Sequence, residues 1–220
     1  MRRIDPASPF GYSLLELLFS TSIIVMVGAM AVPGVLASID DQRAYGAARY
    51  MSSRVQRARM EAVARSASVA LRFVDTPDGY AFAVYVDGNR NGVRTAEIQG
   101  GIDRELMPLE RLTGLFVGVD FGVLPGLPPV DPGSPPPGTD PIKLGSSNIL
   151  TFVPVGTSSS GSLYIRGRRG AQYVLRVFGQ TGRTHVLKYD PGARRWKRLC
   201  PRRLPIGAAR AAAVSANTGS

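Results

Sequence analysis

The chain has one cysteine, Cys200, one histidine, His185, and one tryptophan, Trp196. A single cysteine excludes any disulfide within the chain. With only one histidine beside it, little remains for a zinc site. A cysteine nucleophile would need His185 as its base and an orienting group, and no protease signature surrounds Cys200. The sequence therefore shows no active site, and no enzyme, cofactor or metal is expected from it. Acids are also scarce: 16 against 27 lysines and arginines, a net charge of +11. That excess favours anionic partners such as a phospholipid surface, an acidic subunit or nucleic acid, without choosing among them. Hydrophobic residues make up 44% of the 220, enough for one modest core. Gly 25 and Pro 17 suggest a turn-rich body containing β-structure.

The strongest signal lies near the N-terminus. Residues 14–39, LLELLFSTSIIVMVGAMAVPGVLASI, are almost wholly apolar, longer than the roughly 20 residues a helix needs to cross a bilayer. Arg2 and Arg3 precede this run and Asp40 and Asp41 follow it, a bias that keeps Met1 cytoplasmic and sends the body outward. Three readings compete. Ala29-Met30-Ala31 has the A-x-A pattern of a secretory cleavage site, which would leave Val32 as the new terminus. A plain membrane anchor needs no cleavage. The third reading turns on Glu16, a carboxylate inside the apolar run. Placing such a charge in hydrocarbon costs about 2.5–3.5 kcal/mol, less near the interface, so it should have a partner or a function.

Residues 11–18, GYSLLELL, resemble the cleavage and methylation motif of type IV prepilins and pseudopilins. The resemblance implies cleavage by a prepilin peptidase between Gly11 and Tyr12. Tyr12 then becomes the N-methylated terminus, and Glu16 is the fifth residue of the mature chain. Members usually carry phenylalanine where Tyr12 stands. Pro33 matches a proline common in the family's helix. Cleavage would set an α-amino cation at Tyr12 beside the membrane, and Glu16 of one subunit could pair with the Tyr12 amine of a neighbour. The low dielectric that makes an isolated Glu16 costly would strengthen that pair and fix the axial register of packed helices. Pro33 removes one helical hydrogen bond and can kink the helix or let it melt locally.

Beyond the apolar run, Ala44, Ala48, Met51, Val55, Ala58 and Ala62 form one stripe at alternating spacings of four and three, so the helix should continue through residues 40–67. Arg43, Arg49, Arg54, Arg57 and Arg59 crowd the other positions. The stripe is expected to pack on the protein's own sheet while the arginines are solvated or meet lipid headgroups or neighbouring subunits. Strand patterns follow at 69–74 and 80–86, with Pro77-Asp78-Gly79 between them. Residues 87–92, DGNRNG, imitate the start of a calcium loop, yet Ile98 stands where the bidentate acid belongs and Glu97 comes one residue early. A tight Asn/Gly turn is expected instead.

Residues 104–111 read as a charged connector and 115–123 as a further strand. Residues 124–141, LPGLPPVDPGSPPPGTDP, read as an exposed loop insertion. Strands resume at 149–154 and 162–165. A terminal hairpin is read from 173–178 and 185–189, and 204–220 reads as a disordered tail.

The body as a whole, in residues 84–92 (VYVDGNRNG), residues 150–161 (LTFVPVGTSSSG) and the late Gly182-Arg183, is similar to the GspH/FimT family of minor pseudopilins and minor pilins. What this implies is an α+β, pilin-like fold: a long N-terminal transmembrane and amphipathic helix packed on antiparallel β-sheets. The implied layout is leader 1–11, membrane helix 12–39, amphipathic continuation 40–67, and a periplasmic β-rich domain 68–203. The resemblance also implies a single-pass inner-membrane protein, incorporated into a periplasmic filament. Its partners would be other pseudopilins or pilins, the prepilin peptidase, an inner-membrane assembly platform and membrane lipid. Two roles are open: a subunit of a type II secretion pseudopilus, or a minor pilin of a type IV pilus that assists assembly or DNA uptake. Some relatives contact DNA through a glycine-arginine-x-arginine motif. Here the stretch is Gly182-Arg183-Thr184-His185, without the second arginine. Arg194, Arg195 and Arg198 beside Trp196 could replace it through phosphate contacts and base stacking.

Overall fold

The computed structural model describes residues 13–145 and 147–199. One helix, α1 (Leu14–Arg65), is 52 residues long, or about 78 Å at 1.5 Å per residue. It runs through Pro33 without interruption, although the proline leaves the carbonyl four residues earlier without its helical donor. The helix stops at Ser66, whose left-handed backbone (φ 49°) turns the chain while its N–H closes the last turn.

Among the described residues ten strands follow: β1 (Val69–Thr76), β2 (Gly79–Val86), β3 (Arg104–Arg111), β4 (Val119–Phe121), β5 (Ile142–Lys143), β6 (Ile149–Phe152), β7 (Gly161–Gly167), β8 (Gln172–Phe178), β9 (Arg183–Asp190) and β10 (Arg195–Arg198). Two short helices interrupt them, α2 (Thr95–Gln99) and α3 (Leu112–Leu115). The first sheet has the order β3-β2-β1-β6 and the second β10-β9-β8-β7-β4, with β5 also on β7. Every pairing is antiparallel. The fold is α+β: a long apolar N-terminal helix followed by antiparallel sheets.

Period-two alternation divides each sheet into an inner and an outer face. Inner residues such as Leu71, Phe82, Leu163, Ile165, Tyr173 and Leu175 join Ala44, Ala48, Met51, Val55, Ala58 and Ala62 of α1 in one core. The helical stripe is thus entirely buried, and its small alanines let both sheets approach the helix axis closely. A loop covers part of each outer face. Val93 and Ile98, in the 87–103 segment, pack on Ala70 and Ile149 of the first sheet. Leu127 packs on Tyr164 and Val174 of the second.

Four local expectations are corrected here. Residues 104–111 are not a connector but strand β3, the edge of the first sheet. Within 115–123 only Val119–Phe121 is strand, preceded by the helical turn α3. The proline-rich segment makes no ladder of its own before Ile142, but neither is it a free insertion. Leu127 is buried, Asp131 pairs with Arg176 at 2.6 Å, and the carbonyl of Pro128 accepts the Trp196 indole N–H at 3.0 Å. Prolines cannot donate to a ladder, yet their rings and neighbours pack well on an apolar face. Finally, the terminal basic cluster contains a further strand, β10, paired to β9.

Candidate functional site

The two halves of α1 live in different surroundings. From Leu14 to Ile39 no residue is buried, and large apolar side chains face outward on every side, Leu14 being 75% exposed and Ile24 69%. This stretch is long and apolar enough to cross a membrane. From Asp40 onward the same helix is built into the body. Glu16 lies in the first turn, exposed, and no side chain among the described residues pairs with it. Gly11 and Tyr12, the expected cleavage and methylation positions, lie outside the described residues, as does the expected tail at 204–220.

The junction between the halves is held by Asp40 and Asp41. Asp40 is only 7% exposed, and its Oδ2 accepts the backbone N–H of Arg169 at 3.0 Å and of Ala171 at 3.4 Å. The carboxylate therefore clasps the β7–β8 turn. Gly167 makes the approach possible: a Cβ there would stand 2.5 Å from Oδ2 and 2.8 Å from Cγ. Asp41 accepts the Tyr173 hydroxyl at 2.9 Å and the Lys188 ammonium at 2.7 Å. Burial, and then the bond to Asp41, push the Tyr173 phenol far above its ordinary value, so it remains a donor at any physiological pH. Sequence reasoning used these two acids only as a charge bias. Asp40 lies four residues before Ala44, in phase with the buried stripe, and an acid in that phase signals a buried donor.

The calcium-like loop is closed by its own backbone. Asp87 accepts N–H groups from Asn89, Arg90 and Gly92, at 3.1, 2.7 and 2.6 Å. Asp103 accepts those of Gly88 and Arg94. Glu97 holds the side-chain amides of Asn89 and Asn91. Among the described residues no group of three or more His, Cys, Asp or Glu side chains is arranged to hold a metal ion.

The candidate DNA-contacting residues separate into two groups. Arg194 and Arg195 sit at the β9–β10 turn, Arg194 with a positive φ of 46°. Arg198 is at the opposite end of β10, facing Leu187, and with Arg183 it flanks His185. Desolvation, then Arg198 and Arg183, lower the affinity of His185 for a proton. Its Nδ1 is buried without a hydrogen-bond partner, and its ring meets Phe178 edge-on at 5.1 Å. Beside it a groove of about 800 Å³ runs between α1 and the β9–β10 edge, with Arg49 and Arg198 on its walls. Trp196 is committed elsewhere, its ring tilted against those of Tyr164 and Tyr189 and its N–H bonded to Pro128. It is no free platform for a base.

No protein-family model, curated protein or solved structure matches the chain. The functional reading therefore rests on α1 and its junction with the body.

Proposed function

We propose that the chain is a minor pseudopilin of a type II secretion filament, pilin-like in fold, single-pass in the inner membrane, with its β-body in the periplasm. The observation that carries this reading is the division of α1. Its first half is apolar on all sides and unpacked, its second half forms the core of the body, and a lone carboxylate stands in its first turn. A simple anchor gains nothing from Glu16 at the membrane end of its apolar run. A polymerising helix does: the carboxylate meets the freed amine of Tyr12 on an adjoining subunit, and the apolar surface passes from lipid to other helices. Pairing offsets part of the cost of a buried charge and sets the axial stagger. The net charge of +11, and Arg194, Arg195 and Arg198 without a carboxylate partner among the described residues, also suit a pilus subunit that contacts DNA. Such contact would run on phosphates, because the Trp196 ring is occupied.

Mass spectrometry of the chain purified from native membranes tests the proposal. The expected terminus is Tyr12 carrying one methyl group. A terminus at Val32 would reveal an ordinary secretory leader, and an intact Met1 a plain anchor. Either result refutes the filament reading.

A further inference from the structure

At the foot of the body, where the apolar half of α1 ends, lies a groove of about 530 Å³. Three arginines line it: Arg43 from α1, and Arg168 and Arg169 from the β7–β8 turn. All three are exposed, and none has a carboxylate partner among the described residues. The one acid in the groove, Asp40, spends its Oδ2 on the backbone of Arg169 and Ala171, so the arginines outweigh it in charge. Beside them are apolar side chains, Leu36 and Ile39 on the same face of α1 and Val117 on the α3–β4 turn. Val117 is 69% exposed. The placement is built in. Gly118 has φ +79°, and a Cβ there would touch Cβ and Cδ of Arg168 at 3.4 and 3.8 Å, so the arginine stem lies along that turn.

We infer that Arg43, Arg168 and Arg169 bind the phosphate headgroup of an anionic phospholipid in the leaflet facing the body. The inference rests on the reading of 14–39 as a membrane span. Depth is the first argument. With Glu16 at one interface, a rise of 1.5 Å per residue puts Leu36 about 30 Å away, the thickness of the hydrocarbon core. Arg43 and the two turn arginines then stand at headgroup level, with Val117, Leu36 and Ile39 against the upper acyl chain. Chemistry is the second. Guanidinium forks match phosphate oxygens bidentately, and a solvated anion would make no use of the apolar rim. The cluster also fixes how the body rests on the membrane, because Asp40 ties the same turn to α1.

The test uses the full chain in lipid nanodiscs containing phosphatidylglycerol and phosphatidylcholine. The readout is which lipid remains bound in native mass spectrometry, and alkaline carbonate extraction separately reports insertion. Each arginine near an anionic headgroup is worth about five-fold in affinity. Wild type should therefore retain phosphatidylglycerol over phosphatidylcholine by more than about ten-fold. The triple variant Arg43→Gln, Arg168→Gln, Arg169→Gln should lose that preference while still inserting. Arg168→Gln alone, on an exposed turn, should lower it about five-fold and carries the test if the triple variant misfolds. No preference in wild type, or a preference that survives both variants, overturns the site. Competition by soluble glycerol phosphate as effective as lipid also overturns it, since the groove would then serve a free anion. Release of wild type by carbonate instead sinks the membrane span.

Discussion

Gly167→Ala is a small perturbation with a large expected consequence. Gly167 does not occupy the left-handed region, so alanine meets no backbone strain there. Its methyl would lie 2.5 Å from Asp40 Oδ2 and 2.8 Å from both Cγ and Oδ1. The carboxylate, 7% exposed inside the junction, must withdraw and give up the N–H groups of Arg169 and Ala171. Hydrogen bonds to a charged acceptor contribute about 1.5–3 kcal/mol each, and the longer of the two is the weaker. Overpacking costs a further 1–3 kcal/mol or so where neighbours cannot move. A net loss of about 3 kcal/mol follows, allowing for partial relaxation of the turn. Asp40→Ala alone strands the two donors and should cost about 1–3 kcal/mol. In the Asp40→Ala background, Gly167→Ala should then cost almost nothing, because the atoms it strikes are gone. Urea unfolding of the full chain in nanodiscs measures each corner of this cycle, with Trp196 fluorescence as the signal. A coupling near 3 kcal/mol between the two sites is expected. Equal cost of Gly167→Ala in both backgrounds would refute the clasp.

Two further outcomes follow from the second sheet. His185 binds a proton less readily folded than free, so the unfolded chain is protonated first and the fold loses stability as pH drops below its ordinary value of 6.5. Thermal unfolding between pH 7.5 and 5 should show that decline, and His185→Gln should flatten it. Trp196→Ala should destabilise by about 2 kcal/mol, less than the cost of a fully buried tryptophan because the side chain is only partly buried. It should also speed thermolysin cleavage within residues 124–141, which the indole pins through Pro128. Unchanged cleavage would mean that the segment is held by Leu127 and Asp131 alone.

The long helix was legible from its period and the central strands from their β-branched and aromatic runs. The stripe from Ala44 to Ala62 repeats every three or four residues, and β1 and β2 carry runs of Val, Phe, Tyr and Ala. The edges were not legible. In β3, RELMPLER, no side chain is fully buried, so alternation has nothing to reveal, and Pro108 argues against a strand except at an edge. In β10, RWKR, the charges that suggest a partner for phosphate are also what keeps an edge strand from pairing with another chain. Composition predicted that the proline-rich segment would form no ladder, but not that Leu127 would cover Tyr164 and Val174, since one leucine among prolines has no period. Of the candidate site, Glu16 was visible as a charge out of place. Asp40 showed only its phase with the buried stripe, and its partners, backbone groups more than a hundred residues away, had no mark in the sequence.

That asymmetry bears on how the two halves of α1 communicate. The buried apolar residues of α1 begin at Ala44, and the core is complete without any side chain of the apolar run. The packing of that core therefore does not depend on what surrounds residues 14–39. Within the described residues, orientation passes between the two halves through a short length of helix, where Asp40 and Asp41 fasten the β7–β8 turn, β8 and β9 to α1 just after its apolar run. A continuous helix is stiff across such a joint. Because α1 runs through Pro33 without interruption, an axial shift of its apolar half would carry the β-body with it instead of being taken up in a linker. In the proposed filament, the register of a pair between Glu16 and a neighbour's freed amine would then set the height of the body above the membrane.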